Sequence, residues 1–288
     1  MKLVPGSGSR RPFVLLAPHR VDAAFFTKAV TDPSRRIQLL AEAQKLRGKT
    51  YLEDGAIERW QLASDGRHVQ TADYASWHLL TLDEDGHVAA CARYLPHPNT
   101  ISFADLGVAQ SALAQCPTWG PALREAIDGE LDAARRRKCP YIELGGWAIA
   151  ESLRCTTEAI RMALTAYGLG RACGGALGIS TVTLRHCSSS ILRRIGGLSL
   201  TAQAGALPPY YDPQYKCEME ILRFDSSFLN PRYGMWVDEC ESNLRNTTVI
   251  EPVQTETEFN TSLRQLQLAV PAAGQHDNRK ELVPISAD

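Results

Sequence analysis

Residues 141–157 (YIELGGWAIAESLRCTT) put a carboxylate, a guanidinium and a helix start into one strand–turn–helix segment. Tyr141, Ile142, Leu144, Trp147 and Ile149 read as a buried strand on which Glu143 is the only charge. Desolvating an unpaired carboxylate is strongly unfavourable, so Glu143 must meet partners or a cleft. The turn beyond the strand reaches Arg154, and a helix is expected to open near Thr156. A guanidinium and unpaired backbone N–H groups then converge where an anion can sit. This order of groups fits transfer chemistry on a substrate with a phosphate handle. The competing reading is a salt-bridged strand glutamate beside an ordinary helix cap.

Alternating helices and strands must position these groups. From Ser34 to about Tyr51, Leu39, Leu40, Ala43 and Leu46 share one side, with Gln38, Glu42, Lys45 and Lys49 on the other, which is the period of an amphipathic helix. The runs 77–82 and 88–95 flank Asp83-Glu84-Asp85-Gly86 and predict a β-hairpin. A helix is expected from Pro121 to about Arg137, with Leu123, Ile127, Leu131 and Ala134 inward, and another from Thr156 to Cys173 that ends at Gly174-Gly175. There follow a strand over 176–184, a short helix with Ile191, Leu192 and Ile195, and closing strands over 198–202 and 217–224 around a loop at 208–213 (PPYYDP). Residues 1–12 read as a flexible segment, 13–245 as the working domain and 246–288 as a disordered tail without sustained periodicity.

Composition excludes several classes. The 288-residue chain has a formal net charge of -1 and 22% charged residues, so nothing points to a nucleic-acid partner or a membrane surface. Its eight cysteines (Cys91, Cys116, Cys139, Cys155, Cys173, Cys187, Cys217 and Cys240) form no C-x-x-C pair and no Cys/His cluster at zinc spacing. No metal site is expected, and the thiols read as reduced and mostly buried in a cytoplasmic protein. The apolar run 13–17 behind Arg10 and Arg11 is too short for a signal-peptide core or a bilayer span.

The order helix, hairpin, helix, strand, helix, strand, helix, strand resembles the GNAT acyltransferase fold. Two segments are similar to its autoinducer-synthase and N-acyl amino acid synthase branch. Residues 73–96, with His78-Leu79-Leu80, the Asp-Gly turn and Arg93-Tyr94-Leu95-Pro96, resemble that branch's hairpin, which ends in an Arg-Leu-Leu-Pro type sequence. The strand Glu143-Leu144-Gly145-Gly146-Trp147-Ala148-Ile149 resembles its Glu-Leu-Ser-Arg-Phe-Ala-Val strand. The resemblance covers about residues 34 to 225 and implies a mixed α/β fold: a central, mostly antiparallel, splayed sheet flanked by helices. There are two departures. Gly146 stands where the autoinducer synthases carry arginine, and Thr157 replaces the glycine of the superfamily's pyrophosphate turn, here Arg154-Cys155-Thr156-Thr157-Glu158-Ala159.

The resemblance implies an N-acyltransferase with no tightly bound cofactor, which takes an acyl group, expected to be fatty, from acyl-CoA or acyl carrier protein as co-substrate. The acceptor would be an amino-acid-like small-molecule amine. Such a reaction needs a base for the attacking nitrogen, stabilisation of the thioester oxygen and departure of a thiolate. Glu143 is the expected base, directly or through water. Backbone N–H groups at Trp147, Ala148 and Ile149 would face the thioester and pantetheine in the splayed-strand gap. Arg154, Thr156 and Thr157 would hold phosphate, and the Thr157 hydroxyl could donate to it or cap the helix. His186 and Tyr211 are the residue types nearest to hand as the acid that meets the thiolate, and Arg93 can grip an acceptor carboxylate by a bidentate contact. A covalent route through Cys187 or Ser188 lacks a recognisable His/Asp arrangement. The alternatives are a lactone-forming signal synthase that uses S-adenosylmethionine, which Gly146 disfavours, and a non-catalytic acyl-ligand-binding protein of the same fold.

Overall fold

Apolar runs bounded by turn residues become strands and the 3.6-residue stripes become helices in a computed structural model that describes residues 11–18 and 25–252. In chain order the first elements are β1 (Phe13–Leu16), β2 (Lys28–Thr31), α1 (Pro33–Glu53), β3 (Trp77–Leu82), β4 (Val88–His97), α2 (Ala112–Gln115), α3 (Gly120–Arg137) and β5 (Tyr141–Ile149). The second half contains α4 (Glu158–Ala172), β6 (Leu177–Thr183), α5 (Ser188–Ile195), β7 (Leu198–Ser199), β8 (Thr201–Ala202) and β9 (Gly205–Ala206). It closes with β10 (Tyr210–Asp212), β11 (Cys217–Asp225), α6 (Gly234–Arg245) and β12 (Thr248–Glu251). Local chemistry sets the boundaries. Asp32 caps α1 by accepting from the Arg35 N–H at 2.9 Å, with Pro33 preset for the first turn. Lys138 ends α3 in the left-handed conformation at φ 53°.

The main sheet runs β10-β11-β6-β5-β4-β3-β1-β12-β2, with β7 attached to β11. Among the described residues only β1–β12, β12–β2 and β5–β6 pair in parallel, so the sheet is mostly antiparallel, as the resemblance implies. One face carries α1 over β1, β3 and β4, where Leu39, Leu40 and Ala43 pack on Leu16, Leu80 and Cys91. On the same face α3 lies over β5, β6 and β11, with Leu123, Ile127 and Leu131 packed on Tyr141, Ile179 and Ile221. The other face is covered by α4, whose Met162, Ala166 and Leu169 meet Leu79, Ala92 and Leu144. There α5 and α6 add Leu192, Ile195 and Val237 beside Val182 and Leu222.

Two irregularities shape the centre. The β5–β6 pairing ends at Glu143↔Ile179, although β5 continues to Ile149 and β6 to Thr183. The two strands therefore splay, as the resemblance implies, and leave the β6-facing edge of β5 open beyond Glu143. On its other edge β5 bulges: between Arg93↔Gly145 and Cys91↔Ala148, Ala92 alone faces Gly146 and Trp147. Gly146 takes φ +62°, which L side chains rarely adopt, and an added Cβ would lie 3.1 Å from the Arg93 Cβ.

Several sequence expectations need correction. The working domain does not stop at 245, because β12 pairs in parallel with both β1 and β2, and Val249 is fully buried. The remaining tail, 253–288, lies outside the described residues, as do residues 1–10 of the segment expected to be flexible. The loop expected at 208–213 contains an edge strand, β10, and the single strand expected at 198–202 divides into β7 and β8, the latter paired with β9 in a small hairpin. No helix was expected at 234–245, where α6 packs on the α4 side. None of the eight cysteines is in a disulfide, but Cys155, Cys173 and Cys187 are exposed and only Cys91, Cys139 and Cys217 are buried. Among the described residues no helix is long and apolar enough to cross a membrane.

Candidate active site

The splay vertex, where β5 leaves β6, brings Glu143 to the face that carries α1 and α3. Its carboxylate is four-fifths buried, and both oxygens accept hydrogen bonds. Oε2 accepts from His97 Nε2 at 3.0 Å and from the Gly107 N–H at 3.1 Å, and Oε1 accepts from the Val108 N–H at 3.1 Å. The two amides open a short 3₁₀ turn, Gly107–Gln110, whose unpaired N–H groups face an anion well. Gly107 fits this close approach, since an added Cβ would meet Glu143 Oε1 at 3.2 Å. Burial pushes the Glu143 carboxyl pKa up, but the His97 bond and the two amides outweigh it and hold the group below its ordinary value. The side chain is thus ionised at neutral pH.

Further along the same face, a buried charge cluster joins α1, the 71–74 turn and β4. Asp73 is fully buried and accepts from Arg47 Nη1 at 3.0 Å, Arg47 Nη2 at 2.7 Å, Gln44 Nε2 at 3.0 Å, the Gln70 N–H at 3.1 Å and Arg93 Nη1 at 3.0 Å. Burial raises the Asp73 pKa, but the Arg47 and Arg93 charges pull it well below the usual carboxylate range. Two guanidinium groups against one carboxylate leave a net positive charge. Arg93 spends Nη1 on Asp73 and on Gln70 Oε1 at 2.7 Å, and among the described residues its Nη2 and Nε find no acceptor. Arg93 pairs with Gly145 across the β4–β5 ladder, so it projects on the same face as Glu143, two residues or roughly 7 Å further along β5.

The turn expected to hold phosphate makes contacts within the protein. The Arg154 side chain is half exposed, and its Nη2 lies 3.7 Å from Glu53 Oε2 at the end of α1. Thr156 Oγ1 donates to the Leu153 carbonyl at 2.7 Å and accepts from the Glu158 N–H at 3.2 Å, so this hydroxyl caps α4. Thr157 holds the N-cap position without a side-chain cap bond, and the neighbouring Cys155 takes φ 60°. The Glu158 carboxylate turns inward to Arg161 and Thr81. Trp147 and Ile149 lie on the α4 face and Ala148 on the α1 face. Among the described residues the Trp147 Nε1–H is buried without an acceptor.

Two expected acid residues do not join Glu143. Tyr211 is exposed on edge strand β10, three strands from β5 and thus roughly 14 Å away at ordinary strand spacing. His186 is also exposed, at φ 53° just beyond β6, with Nε2 at 3.4 Å from Asp54 Oδ1. Sequence reasoning missed Arg47, Asp73 as a carboxylate partner, and His97. Signals for two of them were present: Arg47 continues the inward row Leu40, Ala43, Gln44 of α1, and His97 shares the alternation Arg93, Leu95, His97 on β4.

No protein-family model matches the chain, and no curated protein matches it in sequence. Among solved structures, it is similar to the CoA-dependent acyl-homoserine lactone synthase BjaI with SAM and isopentyl-CoA, at 13% identity over 84% of this chain and 93% of the other, with a TM-score of 0.49. It is also similar to FeeM, an N-acyl amino acid synthase from uncultured soil microbes, at 10% identity over 69% and 88% of the two chains and a TM-score of 0.41. A third likeness is to the Drosophila melanogaster polyamine N-acetyltransferase, at 15% identity over 68% and 97%, with a TM-score of 0.35.

Proposed function

We propose that this protein is an N-acyltransferase that moves an acyl group from a phosphopantetheine thioester to the amine of an amino-acid-like acceptor. The observation that carries the proposal is an ionised carboxylate, Glu143, at the vertex of a split sheet, on one face with a guanidinium, Arg93, whose donors are partly free. The open edge of β5 offers unpaired backbone N–H groups to a thioester lying in the split, in the region of Trp147 to Ile149. The net positive cluster at Arg93 suits the carboxylate of an α-amino acid, whose amine then lies toward Glu143.

In this reading the amine nitrogen attacks the thioester carbonyl carbon, the C–S bond breaks and an amide forms. The nitrogen becomes acidic as its bond to carbon develops, so even a carboxylate held below its ordinary pKa takes the proton, directly or through a water. The donor's thiolate leaves toward the open gap and gains its proton from solvent, since neither His186 nor Tyr211 lies beside Glu143. The donor's phosphate rests near Arg154 and the start of α4, an exposed turn that suits either coenzyme A or a carrier-protein phosphopantetheine. Eight cysteines without a disulfide support a cytoplasmic setting.

The test is a panel of acyl-CoA and acyl-carrier-protein thioesters of graded chain length, incubated with mixed amino acids and with the matching decarboxylated amines. Mass spectrometry should find N-acyl amino acids, with the decarboxylated amines poorly used. Equal use of both acceptor sets would remove Arg93 as the carboxylate grip, and no acylated product from any pair would overturn the function.

A further inference from the structure

The two oxygens of Glu143 are not equivalent. Among the described residues Oε2 is bonded twice, by His97 Nε2 at 3.0 Å and the Gly107 N–H at 3.1 Å, whereas Oε1 has only the Val108 N–H at 3.1 Å. A carboxylate has about four lone-pair sites, so the spare capacity is concentrated on Oε1. His97 reaches Oε2 from the neighbouring strand: Leu95 pairs with Glu143, which makes His97 the diagonal neighbour on the same face. Its side chain is only 9% exposed, and among the described residues its Nδ1 has no partner. The imidazole therefore has one firm bond, and that bond is to the proposed base.

We propose that His97 is a positioning residue for the N-acyl transfer: its Nε2–H fixes the Glu143 carboxylate so that Oε1 is presented to the acceptor amine. This inference rests on the functional reading above and adds to it a second residue. The fixed carboxylate matters because catalytic groups a fraction of an ångström out of place lose much of their effect. The two backbone amides anchor the carboxylate from one side, at the start of the 3₁₀ turn, and only His97 restrains it from β4. Among the described residues, the other ionisable groups near the pair include Asp105 on the 103–105 turn, Tyr141 on β5, and the Glu130–Arg223 pair of α3 and β11 beyond Tyr141. None of these forms a hydrogen bond to Glu143.

The experiment compares wild type, His97→Ala and His97→Gln, the last of which returns an amide N–H near the Nε2 position. We expect His97→Ala to lower kcat about 10- to 100-fold, with the acceptor KM changed by less than about twofold because the Arg93 site is untouched. Its acid limb in kcat/KM should move to higher pH, since removing a donor to the ionised form raises a carboxyl pKa. His97→Gln should recover most of the rate and return the limb. Loss of rate in Gln equal to that in Ala would mean that the imidazole itself carries the proton, and unchanged kinetics in Ala would mean a structural bond; either overturns the proposal. Carbon-13 NMR titration of the Glu143 carboxyl in the free proteins reads the same coupling without turnover. An upward shift in Ala and none in Gln is the expected pattern. If no substrate pair is turned over but that pattern holds, the functional reading fails while the His97–Glu143 coupling stands; equal titration in all three removes the coupling.

Discussion

At the residue scale, the site depends on backbone freedom as much as on charge. Gly146 sits at φ +62° in the β5 bulge, where an added Cβ would lie 3.1 Å from the Arg93 Cβ and 3.3 Å from Arg47 Nη1. Gly146→Ala should cost about 1–2 kcal/mol for the left-handed backbone alone, and it should also displace Arg93. The expected result is a lower Tm together with a raised acceptor KM; a variant with unchanged KM would show that Arg93 does not read the acceptor. At the turn proposed to hold the donor's phosphate, Arg154→Ala should weaken binding of an acyl donor roughly tenfold to a hundredfold, the worth of a charged hydrogen bond. It should leave a pantetheine fragment without phosphate unaffected. Equal weakening of both ligands would make Arg154 a partner of Glu53 and nothing more. Glu143 was legible from the sequence because a lone carboxylate on an apolar strand demands an explanation. The His97 bond was not, because it depends on the β4–β5 register, which one bulge shifts.

At the element scale, α1, α3, α4, α5 and the central strands followed from periodicity, and the chain ends did not. β12 is four residues long, and its neighbours β1 and β2 come from the opposite end of the chain, so no local pattern reveals its parallel pairing. The same holds for α6, whose buried Val237 and Leu244 form too thin a stripe to stand out. Residues after 246 therefore contribute to stability through β12 at least. Truncation after Asn246 removes the strand between β1 and β2 and exposes both; it should lower Tm by many degrees, whereas truncation after Pro252 should keep β12 and its contribution. Val249→Asp, which places an unpaired charge at a fully buried position, should reproduce the first result. A Tm near wild type after truncation at 246 would show that β12 adds nothing to the fold.

At the scale of the whole molecule, burial sets the response to acid. His68 and His78 are buried, and desolvation, with the Arg47 charge adding to it, lowers their pKa from 6.5 to about 4. The unfolded chain takes up protons below pH 6.5 that the folded one refuses, so stability is full above that pH and falls as pH drops toward 4. At about 1.4 kcal/mol per pH unit and group, the loss is roughly 2 kcal/mol each by pH 5. Thermal melts should show the decline between pH 6.5 and 5, reduced in His68→Gln; a flat profile would mean that these imidazoles are not desolvated. The depressed carboxyls of Asp73 and Glu143 act in a lower window: their stabilisation is present above their ordinary values of 3.8 and 4.5 and is lost as pH falls further. The split sheet gathers Glu143, the proposed base, and Arg93, the proposed acceptor grip, on one face, and the decisive measurement addresses that base. With an acyl thioester and amino acid that wild type joins, the single-turnover rate of Glu143→Gln should fall by about 10²- to 10⁴-fold while circular dichroism and Tm stay near wild type. A folded Glu143→Gln protein that acylates at the wild-type rate would contradict the assignment of Glu143 and, with it, the mechanism proposed for this site.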